Sequence, residues 1–259
     1  MSNLTGLFQD VDNGGEELAK EELSNSTGGS SYVTDSGVYK GTIARCFAYP
    51  TKVGGVCVEV HFEGDTSHNV KLYPVTVKKK NGKPIKENGN VVKTSTYTVK
   101  GKTQSLADYK MLKQLVFVAI GKGQELKDIV MEEKDISYKE YGKDKTVKAG
   151  ELTELIGKTI HFGIRLEEEY NYEDGEVDKT AIKTNNNGDV VYKKPLFSVY
   201  DSEGKTALEI VKQAEPTQIE KDKEFLASDK GIKKVKLEAP EIEEVEDVVD
   251  DIDEDDIDF

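Results

Sequence analysis

From Gly37 to Pro50 two sets of positions interleave, with Val38, Lys40, Thr42 and Ala44 alternating with Tyr39, Gly41, Ile43 and Arg45. A period of two is the mark of a strand whose faces meet different surroundings. A Gly54-Gly55 turn follows, and then Val56, Val58 and Val60 alternate with Cys57, Glu59 and His61. That pattern predicts a β-hairpin. Val70 to Val77 reads as a third strand and Lys78 to Pro84 as a basic, turn-rich loop. After a second turn at Asn88-Gly89-Asn90, the Thr- and Val-rich run Val91 to Val99 reads as a fourth strand. The period then changes. Leu106, Tyr109, Leu112, Val116 and Ile120 recur at helical spacing, and Gly121 and Gly123 stop the helix.

Residues 124–150 are mixed and polar, and no element is assigned to them. A short helix is expected over 151–156 and a strand over 159–166, where Ile160, Phe162 and Ile164 alternate. Asn185 to Gly188 is a strong turn signal, followed by a strand from Val190 to Tyr200 with Pro195 at an edge or bulge. Residues 207–213 and 215–227 carry weak helical patterns. Short strands, glycine turns and one inserted helix suit a mainly β fold: a partly open Greek-key barrel of the OB type. A small sandwich is the competitor. The expected organisation is a mobile acidic arm over 1–31, an OB-like domain over 32–214, a helical or linker extension over 215–237 and a disordered acidic tail over 238–259.

Charge changes this picture. The 259-residue chain carries a net charge of −14, but Glu238 to Phe259 alone holds 13 acidic residues and no Lys or Arg. The remainder has 37 acidic against 36 basic residues, so the low overall pI of about 4.8 reflects one segment. Between Lys71 and Lys113 stand 11 lysines and only two acids, Glu87 and Asp108. A near-neutral body with a basic stretch is compatible with a polyanionic partner.

Catalytic and metal chemistry are poorly represented. Cys46 and Cys57 form no CxxC, and His61 and His68 lack metal-site spacing. Gly157-Lys158-Thr159 has the end of a phosphate-binding loop, but Leu152 occupies the place of its first glycine. Asp174 and Asp178, near Glu167 to Glu169, read as a solvated loop rather than a cation site. The expectation is a binding protein that is not an enzyme and has no cofactor and no metal. No apolar run of 18 residues and no basic, then apolar, leader is present, so neither a membrane span nor a signal peptide is expected. The cysteine usage suits a reducing cytoplasm.

Sequence-independent binding of a single strand needs cations for phosphates and ring faces for bases. On the first hairpin the candidates are Lys40, Arg45, Tyr49 and Lys52. In the basic stretch they are Lys71, Tyr73, Lys78, Lys80, Lys83, Tyr97, Lys100 and Lys102. Tyr49 and Tyr73, each beside a proline, are expected to be exposed, and Phe47, Phe62 and Phe162 to be core. Arg45 and Arg165 are the only arginines, which suits phosphate tracking more than reading of base edges.

The last ten residues, Asp250 to Phe259, are acids punctuated by Ile252 and Ile257 and closed by a terminal ring. Asp255, Asp256, Ile257, Asp258 and Phe259 offer a basic-rimmed pocket a ring and a carboxylate together. This segment resembles the tails of bacterial and phage single-stranded DNA-binding proteins, and the phage type more, because Asp258 stands where the bacterial tail has proline. Leu155 to Ile160, opening a late strand, is similar to phage OB-fold members. The resemblance implies coating of single-stranded DNA in replication and recombination, and a tail that recruits polymerase, helicase or similar partners while competing with DNA for the basic groove. It also implies a host-cytoplasm location, with RNA polymerase as a further partner. The alternative is an acidic interaction protein that occupies a basic site on a partner without binding DNA.

Overall fold

The computed structural model describes residues 7–8, 35–64, 66–81, 83–99, 102–121, 126, 129–140, 143–173 and 176–238. The tail from residue 239 and Lys100 lie outside these residues, as does the N-terminal arm apart from Leu7 and Phe8. The fold is mainly β, built on one large antiparallel sheet.

Strands β1 (Gly37–Pro50), β2 (Val56–Gly64) and β3 (His68–Val77) form a meander. Alternation places Ile43, Cys46, Ala48, Val58, Val60 and Leu72 in one core, all fully buried. Between Ile43 and Arg45 the register shifts against β2, so Ala44 is an extra residue. A bulge of this kind bends a strand and resets which side chains face inward.

Helix α1 (Ala107–Ile120) follows the basic stretch and lays Met111, Leu112, Leu115 and Val116 onto the core. It ends where expected: Gly121 takes φ +95 and returns its N–H to Phe117 O. Next come β4 (Glu132–Glu140) and β5 (Lys143–Glu151), a hairpin in the region left unassigned from the sequence. Strand β6 (Thr159–Ile164) then runs antiparallel to the first half of β1, while β5 pairs with β1 at Phe47 and Ala48. The turn between them, a 3₁₀ helix over Thr153–Leu155, fills the gap: Leu152 N–H donates to Cys46 O (2.8 Å) and Gly157 N–H to Ile43 O (2.8 Å).

Beyond β6 lie β7 (Leu166–Glu168) and the hairpin β8 (Tyr170–Glu173) with β9 (Glu176–Ile182). Strand β10 (Leu196–Tyr200) pairs with β6. Helices α2 (Ala207–Lys212) and α3 (Gln218–Ala227) are joined through one carboxylate. Glu209 accepts from the Thr206 N–H (2.9 Å) and, on its other oxygen, from the Thr217 and Gln218 N–H groups (2.8 Å each). Burial raises its pKa, but these donors outweigh that and hold it below the usual range.

Both termini of the expected domain extend into the fold. Leu7 and Phe8 are 6% exposed each and sit in the main core, where burial of two large apolar side chains offsets the cost of ordering them. Residues 215–237 pack back too: Ile219 and Leu226 of α3 are buried, and Ile232–Lys233 pairs in parallel with β7.

His68 is fully buried with its ring beside Phe62 and Phe162, 6.4 and 5.8 Å between centroids, and neither ring nitrogen has a hydrogen-bond partner. Burial, and then the Lys194 charge, lowers its pKa to about 3. The unfolded chain takes up this proton near pH 6.5 and the native state refuses it, so stability falls as pH drops from there toward 3. The loss at pH 4 is about 3 kcal/mol. Urea unfolding at pH 7 and pH 4 checks this: His68→Phe should shed that part of the acid sensitivity, and an unchanged pH dependence excludes it.

Candidate nucleic-acid interface

The faces of β1, β2 and β3 that point away from the core carry the candidate chemistry. Register sets Arg45 opposite His61 and Asn69 beyond it, and Phe47 opposite Glu59 with Lys71 beyond. Tyr49 lies opposite Cys57, and the Tyr73 hydroxyl reaches the same thiol. Phe47 is buried as expected, but on this outer face, with Ile136 and Ala149 from the β4–β5 hairpin and the Tyr49 ring 5.9 Å away.

Tyr49 is half-buried rather than exposed, and the two tyrosines are tied to their neighbours at different atoms. Tyr49 donates to Glu59 Oε2 at 3.4 Å. Tyr73 is 51% exposed, and its backbone N–H donates to Asp108 Oδ2 at 2.8 Å. Burial raises the Tyr73 and Cys57 pKa values, so both groups stay neutral near pH 7. A ring held at its hydroxyl presents its face with little rotamer freedom left to lose.

Glu59 was absent from the residues expected at the site. It is 5% exposed, accepts from or pairs with His61 Nε2 at 2.9 Å and lies 3.6 Å from Lys71 Nζ. Burial raises its pKa, and the His61 hydrogen bond and Lys71 outweigh that and lower it overall. The alternation of Cys57, Glu59 and His61 was the available signal. Beside Phe47 on the other edge, Glu151 pairs with Lys134. The positive charge of this face therefore rests on Arg45, Lys52 and the lysines beyond β3 rather than on Lys71.

Those lysines stand on a narrow ribbon of two-residue ladders: Lys79–Lys80 with Lys83–Pro84, and Lys86–Glu87 with Asn90–Val91. Lys80 and Lys83 are exposed, Lys78 half-buried. The β1–β2 turn, which bears exposed Lys52, packs beside this ribbon. A Cβ on Gly54, whose φ is +96, would meet Val77 and Val91 at 3.6 and 3.8 Å. Tyr49, Lys52, Tyr73 and the ribbon thus gather at one end of the sheet. Lys40 does not join them, since it lies opposite His161 on β6, nine residues and about 30 Å along β1 from Tyr49.

The strand expected over Val91 to Val99 is broken. Lys93–Thr94 pairs with β3, and Thr96–Val99 turns away to pair with Lys102–Ser105. The Thr94 hydroxyl bonds Thr96 O and accepts from Thr96 N–H, both at 3.1 Å, an alternative to the ladder. Tyr97, 44% exposed, donates to Gln104 Oε1 at 3.0 Å. Only the backbone of Lys102 is described. Asp255 to Phe259 lie outside the described residues.

Gly157-Lys158-Thr159 opens a strand, not a helix, so no phosphate cradle forms. Among the described residues no group of three or more potential ligands could hold a metal, and no helix is long and apolar enough to cross a membrane. Comparison of the chain with protein-family models, curated proteins and solved structures finds no match.

The geometry makes a direct chemical prediction. Tetranitromethane should nitrate Tyr73, Tyr97 and Tyr172 several-fold faster than the buried Tyr109 and Tyr200, read by peptide mass mapping. Equal reaction at Tyr200 and Tyr73 would contradict the arrangement.

Proposed function

We propose that the chain is a single-stranded DNA-binding protein that coats the strand with little sequence preference during phage replication and recombination. The observation that carries this reading is the outer face of β1–β3. Tyr49, half-buried with its hydroxyl on Glu59, and the exposed Tyr73 lie on this face with Arg45, near Lys52 and the lysine ribbon. Rings take bases by stacking and lysines take phosphates as point charges, and neither interaction reads base identity. The connectivity supports an OB-like barrel as the scaffold: a three-stranded meander, a helix, then β6 returning antiparallel to β1 and β10 pairing with β6. Among the described residues no ladder joins β3 to β10, which suits the partly open form. The protein acts by binding, without catalysis or a cofactor.

In this reading the acidic tail competes with DNA for the cationic end of the sheet and offers its Phe259 ring and carboxylate to replication proteins such as polymerase or helicase, with RNA polymerase as a further partner. Residues 239–259 contain 12 acids and no base, so their removal moves the net charge from −14 to −2. Both cysteines are buried free thiols, in keeping with the host cytoplasm.

Removing residues 239–259 should leave folding intact and tighten retention of oligo-dT by about tenfold at low salt. Tyr73→Ala in that background should cost about 1–3 kcal/mol per stacked base with an unchanged salt slope. Fluorescence titration at two salt concentrations reads both. A folded truncated protein that fails to retain oligo-dT at low salt rejects DNA binding and favours the acidic interaction protein.

A further inference from the structure

A cleft opens between the end of β3, the start of the ribbon and the Thr96–Val99/Lys102–Ser105 hairpin. Its walls carry five threonines, Thr76, Thr94, Thr96, Thr98 and Thr103, with Lys78, Lys79 and the exposed Tyr97 among the remaining lining residues. Val77 and Ile85 supply apolar surface. Among the described residues no carboxylate lines it. The neighbouring cleft at Gly54 and Val91 differs, since Glu87 is among its lining residues.

We propose that this threonine-lined cleft holds a nucleotide unit of the bound single strand, its base edge met by threonine hydroxyls and its phosphate by Lys78 and Lys79. The inference rests on the DNA-binding reading and adds a uncharged base contact to it. A threonine hydroxyl rotates and can donate or accept. Several such groups can therefore meet any of the four base edges, whereas Asn, Gln or Arg would select among them. The arrangement gives hydrogen bonding to bases without sequence preference. Thr94 and Thr96 bond one another at 3.1 Å and shape the wall. Thr76, Thr98 and Thr103 are exposed, with Thr98 directly opposite Thr103.

The test uses the full chain and the triple variant Thr76→Val, Thr98→Val, Thr103→Val, which preserves side-chain shape and strand propensity. Three probes are titrated at two salt concentrations: oligo-dT, an abasic strand of equal length and thymidine 5′-monophosphate. The variant should bind oligo-dT about tenfold more weakly than the unmodified protein, from the loss of hydrogen bonds to the bases. Its salt slope should not change, because no charge is removed. The abasic strand should bind both proteins alike, and the mononucleotide should bind far more weakly than the strand. Unchanged affinity for oligo-dT, or an equal loss on the abasic strand, overturns the cleft while leaving DNA binding in place. Mononucleotide binding as tight as the strand assigns the cleft to a free nucleotide and overturns it as well. A folded protein lacking residues 239–259 that retains no strand at low salt removes the DNA-binding reading and this inference together.

Discussion

Fourteen residues of β1 must satisfy backbone hydrogen bonds along both edges, and the rest of the molecule is arranged around that demand. One edge is met by β2 from Gly41 to Pro50. The other is shared by three partners in succession: β6 along Gly37 to Thr42, the 3₁₀ turn at Ile43 and Cys46, and β5 at Phe47 and Ala48. A strand this long can serve two neighbours only by bending, and the extra residue at Ala44 supplies the bend. The bulge keeps Ile43 and Cys46 in the core on either side of it, and it puts Arg45 and Phe47 together on the outer face.

The chemistry of that outer face follows from burial on the inner one. Because β1, β2 and β3 commit alternate residues to the core, the residues between them are forced into rows across the sheet. Glu59 is the centre of one such row. A carboxylate with so little solvent is tolerable only with charged and hydrogen-bonding neighbours, and His61, Lys71 and Tyr49 are those neighbours. It neutralises Lys71 locally, so the acid that orders the tyrosine also moves the positive potential outward to Arg45, Lys52 and the ribbon.

The core strands were legible because their alternation is strict and their turns contain glycine. The β4–β5 hairpin was not, because its residues, as in Lys134-Asp135 and Lys148, are charged on exposed faces and give no apolar period. The break at Ser95 was equally hidden, since Thr and Val favour a strand and only the local Thr94–Thr96 bonds end it. At the site, residue type identified Tyr49, Tyr73 and the lysines, but strand register decides which of them meet. Lys40 carries the right charge and lies too far along β1, whereas Lys52 comes close because Gly54 folds its turn against Val77 and Val91. Leu7 and Phe8 belong to the core despite an acidic, glycine-rich context, because two large side chains need only a vacancy in the packing and not a periodic segment.

The two halves of the candidate surface rest on different supports, and that difference separates two kinds of binding energy. Tyr49 pairs with Cys57 in the β1–β2 ladder and the Tyr73 N–H is held by Asp108, so the backbones that carry both rings are tied and stacking loses little entropy. The lysines stand on ladders only two residues long, each with few hydrogen bonds to resist deformation. Point charges tolerate such play, because Coulomb attraction to a phosphate varies slowly with distance, whereas stacking fails within about an ångström of misplacement. Rigid rings beside compliant cations allow a strand of any sequence to settle its bases first and let the charges follow its backbone.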